Sequence, residues 1–457
     1  MNIAVPNATR TLSAYSARLT LDAIPESVVQ QAKIVLADTV AILLKASTRK
    51  AVRTAMRTFP PAGNGACTIV GHGGGAAADQ AAFINGIGGH DIELDDSHSP
   101  SRTHAAAVIV PAALAAAEAS TSCTGADLLA GMIAAYDVQC RVSKAMGVQS
   151  QFDRGFHPTV ICGSIGAAVC AGRILGLEED VMSYAIGLAA SQSCGLITFE
   201  DDPSHMLKSF HTGVGARNGL VAALLAQNGY ESSPDALAGR HNVLSAFGGA
   251  TANPGLLTSQ LGEYFEIVGT SIKRHACCGQ THSAVDALLS LVDENRISAK
   301  DIERIDVQLA YKAVPIVNGN PLWTHNIQYV LALAAHEGHV GVHHFEEAWT
   351  SHPSVSDLAS KVSVSGSDRL QERFPTKKGA IVSIAIGGRT LSREFESPVG
   401  NPANPLGPQD LKGKFDALSS SVLSTDETKV LWDELSRIEA ADKLDRVFTL
   451  LRKSPRN

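Results

Sequence analysis

Residues 90–104 are unusually rich in side chains that donate or accept protons. The segment ends at His104, where the alanine-rich run 105–118 begins. Its first part reads His90-Asp91-Ile92-Glu93-Leu94-Asp95-Asp96-Ser97-His98. Crowded carboxylates raise one another's pKa and neighbouring imidazoles lower it, so such a cluster can move protons near neutral pH. The segment therefore predicts the edge of an active site.

The same side-chain types also occur as ligands of divalent metal ions. A metal-dependent hydrolase is therefore the alternative function from a different class. The ligands would be Glu93, Asp95, His98 and His104.

Two basic clusters stand out against a formal net charge of −7. One runs from Lys208 to His211 and the other from Lys273 to His282. A negative chain argues against nucleic acid as a partner, because that binding depends on neutralising phosphates with Lys and Arg. Local cationic clusters suit a small anion instead, and a polycarboxylate is the first expectation.

The composition is that of a globular protein with more than one core. At 457 residues the chain predicts two domains. The longest apolar run, 105–119, is shorter than a membrane span and contains Pro111. The first twenty residues lack the pattern of a secretory signal, so we expect no membrane association and a cytoplasmic location. The eight cysteines are few for a chain of this length, and most lie in apolar or helical segments, so we expect no disulfide framework. The pair Cys277-Cys278 has no second cysteine pair at zinc-ligand spacing, which argues against a zinc site.

Hydrophobic periodicity changes along the chain. Up to about residue 268 it is nearly all helical, with apolar segments at 23–47, 76–88, 105–120, 126–145, 158–176, 179–196 and 213–228. From about 270, alternating segments at 304–311, 361–365, 380–386 and 390–396 predict strands, the last two joined as a hairpin by Gly387-Gly388. A linker at 397–405 leads to short helices at about 407–417, 426–439 and 441–452. Short amphipathic helices bury little alone, so these should rejoin the first domain.

These patterns predict a mainly α protein with an α+β second domain. The large all-helical domain is built from both chain ends, residues 1–268 and 400–457. The smaller α+β lid domain covers residues 269–399.

Four motifs, in order and spacing, resemble the MmgE/PrpD family. They are His90-x-x-Glu-Leu-Asp-Asp-Ser with His104, Gly155-Phe-His-Pro-Thr159, Lys208-x-x-His-x-Gly-x-x-Ala-Arg-Asn-Gly219, and Lys273-Arg-x-x-x-Cys-x-x-Thr-His-x-x-Val-Asp286. The resemblance covers essentially the whole chain. It implies a homodimer with its active site in a cleft between domains, and no metal or other cofactor. Members of the family act on small di- and tricarboxylates, as 2-methylcitrate dehydratase, cis-aconitate decarboxylase and iminodisuccinate epimerase do.

Carried onto this sequence, the family's pocket implies specific roles. His157 and His104 would manage protons beside Asp95 and Asp96, while Lys208 would hold a substrate carboxylate. We expect His157 to lie at a helix start, which lowers an imidazole pKa and favours the neutral, basic form. The other implied substrate-binding residues are Ser97, Lys273, Arg274, Cys278 and His282.

Two departures from the family pattern bear on the reaction. Glu93 stands where an aspartate is usual, and Cys278 stands where the decarboxylase subgroup has a histidine. The first expectation is therefore a cofactor-independent dehydratase of a 2-methylcitrate-like hydroxy-polycarboxylate. The close alternative is an epimerase of an amino or imino dicarboxylate, and a cis-aconitate-type decarboxylase comes next.

Overall fold

The computed structural model describes residues 7–60, 65–202, 204–345 and 347–455. Their contacts divide the chain into two compact units. The first unit comprises Met1–Asp91, Asp95–Thr270 and Pro408–Asn457. The second comprises Ile92–Leu94 and Ser271–Gly407.

The first unit is an assembly of helices, numbered here along the chain together with the strands. Most helices before residue 230 carry the apolar periodicity expected of them. Their bounds are α1 Ala8–Arg18, α2 Glu26–Ala46, α3 Lys50–Thr58, α4 Ala78–Gly88, α5 Ala106–Ala119, α6 Gly125–Met146, α7 Val148–Asp153, α8 Pro158–Ile174, α9 Glu179–Ser191 and α10 Met206–Gln227. Two-residue strands lie between them: β1 Cys67–Thr68, β2 Gly75–Ala76, β3 Ser97–His98 and, at the end of the unit, β4 Thr270–Ser271.

The second unit packs helices on one sheet. Its helices are α11 His282–Asn295, α12 Val314–Val317, α13 Ile327–Glu337, α14 Glu347–Thr350, α15 Pro353–Ala359 and α16 Asp368–Arg373. Its strands are β5 Arg304–Leu309, β6 Val362–Gly366, β7 Ala380–Ile386 and β8 Arg389–Phe395. The sheet order is β6-β5-β7-β8, with β5 and β6 parallel and the other pairs antiparallel. The mainly α fold with an α+β second domain is thereby confirmed.

The β7–β8 hairpin turns through two glycines in the left-handed region. Gly387 has φ 54° and Gly388 has φ 74°. Residues with side chains seldom adopt such angles in succession, which is why a Gly-Gly pair at this point predicts a tight hairpin. The predicted hairpin is confirmed.

The chain's last helices are α17 Pro408–Ser419, α18 Thr425–Ser436 and α19 Asp445–Leu451, and they belong to the first unit. The observed division differs from the predicted boundaries in three places. The first unit extends to Thr270, two residues beyond its predicted end. Residues 400–407 belong to the second unit, where the Ile272 N–H donates to the Gly400 carbonyl at 2.9 Å. Ile92–Leu94 belongs there too, because Glu93 pairs with Lys273.

The helix α2 is long and apolar enough, by length and composition alone, to cross a membrane. Most of it is buried within the protein, and its buried Lys33 and Asp38 pair with Glu439 and Lys414. A core helix passes the same test, so the observation is weak evidence for a membrane span.

The centre of the first unit is formed by α5, α6, α8 and α10. Nearly every residue of α5 and α8 is buried. The contact of α8 with α10 depends on Gly219, where a Cβ would lie 2.4 Å from the Ala167 Cβ and 2.5 Å from the Ser164 carbonyl oxygen. This close packing brings together the first turns of α8 and α10, which carry His157 and Lys208.

Candidate active site

In the loop between α4 and α5, the Asp95 carboxylate contacts the imidazole rings of two histidines. Its Oδ2 lies 2.7 Å from His90 Nδ1 and 2.7 Å from His104 Nδ1. The two rings are 4.5 Å apart between centroids. His104 Nδ1 is also 2.7 Å from the Asp96 carbonyl oxygen. Because only acceptors surround each Nδ1, the proton belongs there and each Nε2 keeps its lone pair. We call His90, Asp95 and His104 the Asp95 cluster.

The two histidines of the Asp95 cluster differ in exposure. His90 is buried, and its Nε2 has no hydrogen-bond partner among the described residues. Burial lowers the pKa of His90 to about 3, even though Asp95 acts to raise it. His104 keeps 21% of its side chain exposed. His104 is therefore the imidazole of this cluster that a solute can reach.

The Asp96 carboxylate bonds to other groups than the histidines, although the Asp96 carbonyl oxygen lies 2.7 Å from His104 Nδ1. Its Oδ1 accepts the Ala106 N–H at 3.0 Å, at the start of α5, and its Oδ2 accepts the Tyr136 hydroxyl at 2.8 Å. Burial, followed by the neighbouring Asp95 charge, raises the pKa of Asp96 to about 8. Of the two adjacent aspartates, Asp95 orients histidines and Asp96 fixes helices. The sequence leaves that division open.

His157 lies at the start of α8, with Pro158 as the first helical residue. The predicted helix-start position is confirmed. His157 Nδ1 is 2.9 Å from His211 Nδ1, so one ring donates and the other accepts. Burial is the main cause that holds the pKa of His157 well below the usual value, and the positive charges of its neighbours add to it. The ring is therefore neutral at physiological pH.

Lys208 places a cation beside these imidazoles. It lies on the first turn of α10, three residues before His211, so the two share one face of the helix. Its side chain is buried, with 6% exposure. The Lys208 charge lowers the pKa of both His157 and His90. A buried ammonium at this position can bind a carboxylate of a small anion.

We call the Asp95 cluster, His157, His211 and Lys208 together the histidine–lysine site. All of these residues belong to the first unit. The structure brings four predicted residues into it: His104, His157, Lys208 and Asp95. The predicted site residues do not include His90 and His211. The signals for both exist in the sequence, because His211 follows Lys208 at helical spacing and His90 precedes Asp95 by five residues.

The ligand set of the alternative metal site is not assembled as predicted. His98 Nδ1 is 2.7 Å from the Ser101 hydroxyl, and its Nε2 is 3.5 Å from Glu266. Glu93 belongs to the second unit. Asp95 and His104 instead share their cluster with His90, and these ligand atoms lie within 4.8 Å of one another. Because both Nδ1 atoms are at hydrogen-bond distance from Asp95, a metal ion there would have to replace those bonds.

Ser97 is half-buried on β3, while the other predicted substrate-binding residues belong to the second unit. Lys273 Nζ lies 3.1 Å from Glu93 Oε2, and both side chains are buried. Arg274 is partly exposed and lies 3.8 Å from Asp286. Each cation thus has an acidic partner inside its own unit. Their roles toward a substrate stay predictions.

Cys278 and His282 lie in and beside the turn that precedes α11. Cys278 is buried, and its N–H donates to the Thr324 carbonyl at 2.9 Å. His282 begins α11, and its Nε2 is 3.1 Å from the Cys277 carbonyl oxygen. Burial lowers the pKa of His282 to about 3. These contacts support the turn, and the predicted substrate-binding roles of both residues stay predictions.

Comparison with known proteins defines the class to which this fold and site belong. Residues 10–254 match the MmgE/PrpD N-terminal domain, and residues 275–439 match the MmgE/PrpD C-terminal domain. The chain therefore belongs to the MmgE/PrpD family, as its motifs predict.

Similar proteins of known activity are enzymes. The chain is 28% identical to cis-aconitate decarboxylase of Aspergillus terreus over 446 residues, which cover 91% of this chain and 89% of that protein. It is 28% identical to cis-aconitate decarboxylase of Homo sapiens over 393 residues, covering 81% and 79%. It is 25% identical to the mitochondrial 2-methylcitrate dehydratase of Yarrowia lipolytica over 298 residues, covering 60% and 55%.

Proposed function

We propose that this protein is a cofactor-independent lyase that moves a proton at a carbon next to a carboxylate of a small di- or tricarboxylate. The observation that carries the proposal is the placement of the buried Lys208 cation beside neutral His157. A proton next to a carboxylate is weakly acidic, so its removal needs a positioned base and a cation to stabilise the charge that develops. The relatives named as decarboxylase and dehydratase support the same substrate class.

The residues divide the work as follows. Lys208 binds one substrate carboxylate and stabilises negative charge spreading into it. His157 exchanges a proton through the ring nitrogen that is not bonded to His211. His104 acts on a second proton through Nε2, because its Nδ1 is engaged by Asp95. Asp95 stabilises the imidazolium that forms when either of its histidines accepts a proton.

Dehydration of a 2-methylcitrate-like hydroxy acid makes use of two separate imidazoles. A base takes the proton from carbon, the electron pair of the C–H bond forms the double bond, and the C–O bond breaks. An acid protonates the departing hydroxide, which leaves as water. His157 and His104 can supply these two functions, and this is the reaction that the arrangement favours.

Decarboxylation of a cis-aconitate-like acid is the second candidate. The bond between the carboxylate and the substrate carbon breaks, and carbon dioxide leaves. The electron pair of that bond remains on the substrate carbon, where one imidazolium delivers a proton. The decarboxylase relatives match more of this chain than the dehydratase does, 91% against 60%.

Epimerisation of an iminodisuccinate-like acid needs only removal and return of the proton.

A substrate panel followed by proton NMR in deuterium oxide separates these reactions. The panel contains 2-methylcitrate, citrate, cis-aconitate and iminodisuccinate. Loss of water identifies a dehydratase, loss of carbon dioxide a decarboxylase, and deuterium exchange with inversion alone an epimerase. Turnover of none of the four acids would contradict the proposal. Loss of activity with chelator, restored by metal, would favour the metal-dependent hydrolase instead.

Variants test whether the histidine–lysine site performs the reaction. Loss of a general acid or base costs about 10²- to 10⁴-fold, so His157→Gln and His104→Gln should each lower kcat/KM by at least about 100-fold. The exposed His241 of the same unit provides the matched control, and His241→Gln should leave the rate unchanged. Near wild-type turnover in both site variants would show that the site lies elsewhere.

We also propose a cytoplasmic homodimer. The family resemblance supports the homodimer. Sedimentation of the purified chain at its two-fold mass would support the dimer, and sedimentation as a monomer would contradict it.

A further inference from the structure

A second group of imidazoles lies in the second unit, on the segment that follows α13. The helix ends at Glu337, and Gly338 then turns the chain with φ 70°. His339, His343 and His344 come together in the next six residues, and we call them the histidine trio. Nothing in the proposed reaction uses them.

The three rings are close enough to share one ion. The centroid of His344 is 3.8 Å from that of His343 and 4.8 Å from that of His339. One ring nitrogen from each histidine lies within 4.8 Å of the other two. Zinc–nitrogen bonds of 2.0–2.1 Å place tetrahedral ligand nitrogens roughly 3.3 Å apart. Binding of an ion therefore requires the exposed His339 and His343 side chains to move closer to His344.

His339 is oriented as metal-binding histidines commonly are. Its Nδ1 lies 2.9 Å from the Glu337 carbonyl oxygen, so the proton belongs on Nδ1 and the Nε2 lone pair is available. A backbone acceptor on the distal nitrogen is a usual feature of zinc-bound imidazole. The tautomer that this hydrogen bond selects is the one that binds metal through Nε2.

His344 places a buried ring nitrogen without a partner in the trio. Its side chain is fully buried, and its Nε2 has no hydrogen-bond partner among the described residues. Buried polar atoms are nearly always partnered, so such an atom requires an explanation. The Tyr329 hydroxyl donates to the His344 carbonyl at 2.5 Å and fixes this residue against α13. The Gly341 N–H donates to His344 Nδ1 at 3.0 Å, so the ring proton lies on Nε2. A metal ion therefore displaces the Gly341 bond in either case: it binds Nδ1 directly, or it binds Nε2 while the proton moves to Nδ1.

We propose that the histidine trio binds one first-row divalent transition metal ion, such as Zn²⁺. Imidazole nitrogen is a preferred ligand for these ions, and three of them leave a fourth position for water. The bound ion would connect the exposed turn at His339 to the buried His344. It would therefore rigidify residues 338–345 and take no part in the proposed lyase chemistry.

Zinc titration of the full-length, chelator-treated protein by isothermal calorimetry tests the proposal. We expect one equivalent of Zn²⁺ to bind with a micromolar or lower Kd. The double variant His339→Ala, His343→Ala should weaken binding by at least about 100-fold, since loss of a ligand-orienting partner alone costs 10- to 100-fold. Both side chains are exposed, so the fold should survive, which circular dichroism checks.

The matched control is the double variant His336→Ala, His352→Ala. These histidines lie in the same region, and neither belongs to the trio. The control should bind zinc with wild-type affinity. Equal weakening in the control would show only a diffuse histidine surface and would overturn the proposal. Failure to bind zinc, or binding that the trio variant leaves unchanged, would also overturn it.

Cobalt provides a second readout of the same site. Tetrahedral Co²⁺ with imidazole ligands gives intense visible absorption, whereas octahedral hydrated Co²⁺ does not. The trio variant should lose this absorption and the control variant should keep it. Loss of the signal in a His104→Ala variant, with the trio intact, would place the ion in the Asp95 cluster and contradict the proposal.

Discussion

At the scale of single residues, one carboxylate determines how two imidazoles are used. Asp95 Oδ2 lies 2.7 Å from Nδ1 of both His90 and His104, and His104 Nδ1 also lies 2.7 Å from the Asp96 carbonyl oxygen, so each Nε2 is directed away from these acceptors. The exposed fraction of the ring then decides the role, because only His104 keeps part of its side chain accessible. His157 is likewise oriented through its Nδ1, and its partner is the imidazole of His211. Burial lowers the pKa of His211 as well.

The first prediction concerns Lys208, the cation of the histidine–lysine site. Lys208→Met keeps the volume of the buried stem and removes the charge. We expect kcat/KM to fall by about 10²- to 10³-fold, the usual effect of losing one charge-stabilising donor. Steady-state kinetics with the substrate found in the panel provide the measurement.

Arg217 is the matched control for Lys208. It lies on the same helix, is exposed, and its guanidinium is 5.8 Å from the centre of the Phe83 ring. Arg217→Met should leave kcat/KM within about twofold. If the two variants lost activity equally, a general loss of positive charge would explain the effect and a specific role for Lys208 would be wrong.

At the scale of elements, the site depends on how closely α8 and α10 approach. Gly219→Ala would place a methyl group 2.5 Å from the Ser164 carbonyl and 2.6 Å from the Ala168 nitrogen. Backbone atoms cannot yield easily, so we expect a loss of about 1–3 kcal/mol in the free energy of unfolding. Since the helices carry His157 and Lys208, the rate should fall as well. Urea unfolding and kinetics measure the two effects.

Gly413 on α17 provides the opposite control. A Cβ there meets nothing within 4 Å, and the residue is exposed. Gly413→Ala should stabilise the protein by roughly 0.5–1 kcal/mol, because alanine is the better helix former. Destabilisation by both substitutions to the same extent would disprove the packing argument for Gly219.

Asp96 links the start of α5 to α6, and its protonation should affect stability. Its folded pKa, raised to about 8, lies above the ordinary value of a carboxyl in the unfolded chain. The folded state therefore binds the proton more tightly than the unfolded state does. The resulting stabilisation of the fold is fully present below the pKa of the unfolded carboxyl, and it is lost as pH rises toward 8. The loss cannot exceed about 1.4 kcal/mol per pH unit from one group.

Asp96→Asn removes this proton-binding step. Its free energy of unfolding should change less than that of the wild type between pH 5 and pH 8, because the amide does not ionise. Urea unfolding across this pH range is the measurement. A wild-type decline that the variant reproduces in full would show that another group is responsible.

These elements also show what the sequence can predict. Periodicity is a local property, so the segments at 304–311, 361–365, 380–386 and 390–396 match β5 to β8 closely. The direction of a loop side chain is not local. Asp95 and Asp96 are adjacent and chemically alike, and only Tyr136, forty residues away, and the start of α5 distinguish them. For the same reason His98, a plausible metal ligand by spacing, instead contacts Ser101 and lies near Glu266.

At the scale of the whole molecule, the first unit is completed by the end of the chain. The helix α17 packs on α2, and the half-buried Lys414 Nζ lies 2.7 Å from Oδ1 of the buried Asp38. The sequence predicts this return because short closing helices bury too little alone. It does not predict the buried ion pairs that accompany the return, since each joins residues hundreds of positions apart.

The pair of Asp38 and Lys414 gives a prediction at this scale. Lys414→Met leaves a buried carboxylate facing an apolar group, and breaking such a pair costs about 3–5 kcal/mol. The double variant Asp38→Leu, Lys414→Met removes both charges and should lose less than the single variant. In a Trp323→Phe, Trp349→Phe background, Trp432 fluorescence reports unfolding of the first unit alone.

The exposed pair of Arg10 and Asp180 in the same unit provides the comparison. Surface pairs contribute about 0–1 kcal/mol, so Arg10→Met should have a small effect. A double variant at 38 and 414 that is as unstable as Lys414→Met would show that packing dominates over charge. A single variant no worse than Arg10→Met would mean that this pair does not hold the chain's end to α2.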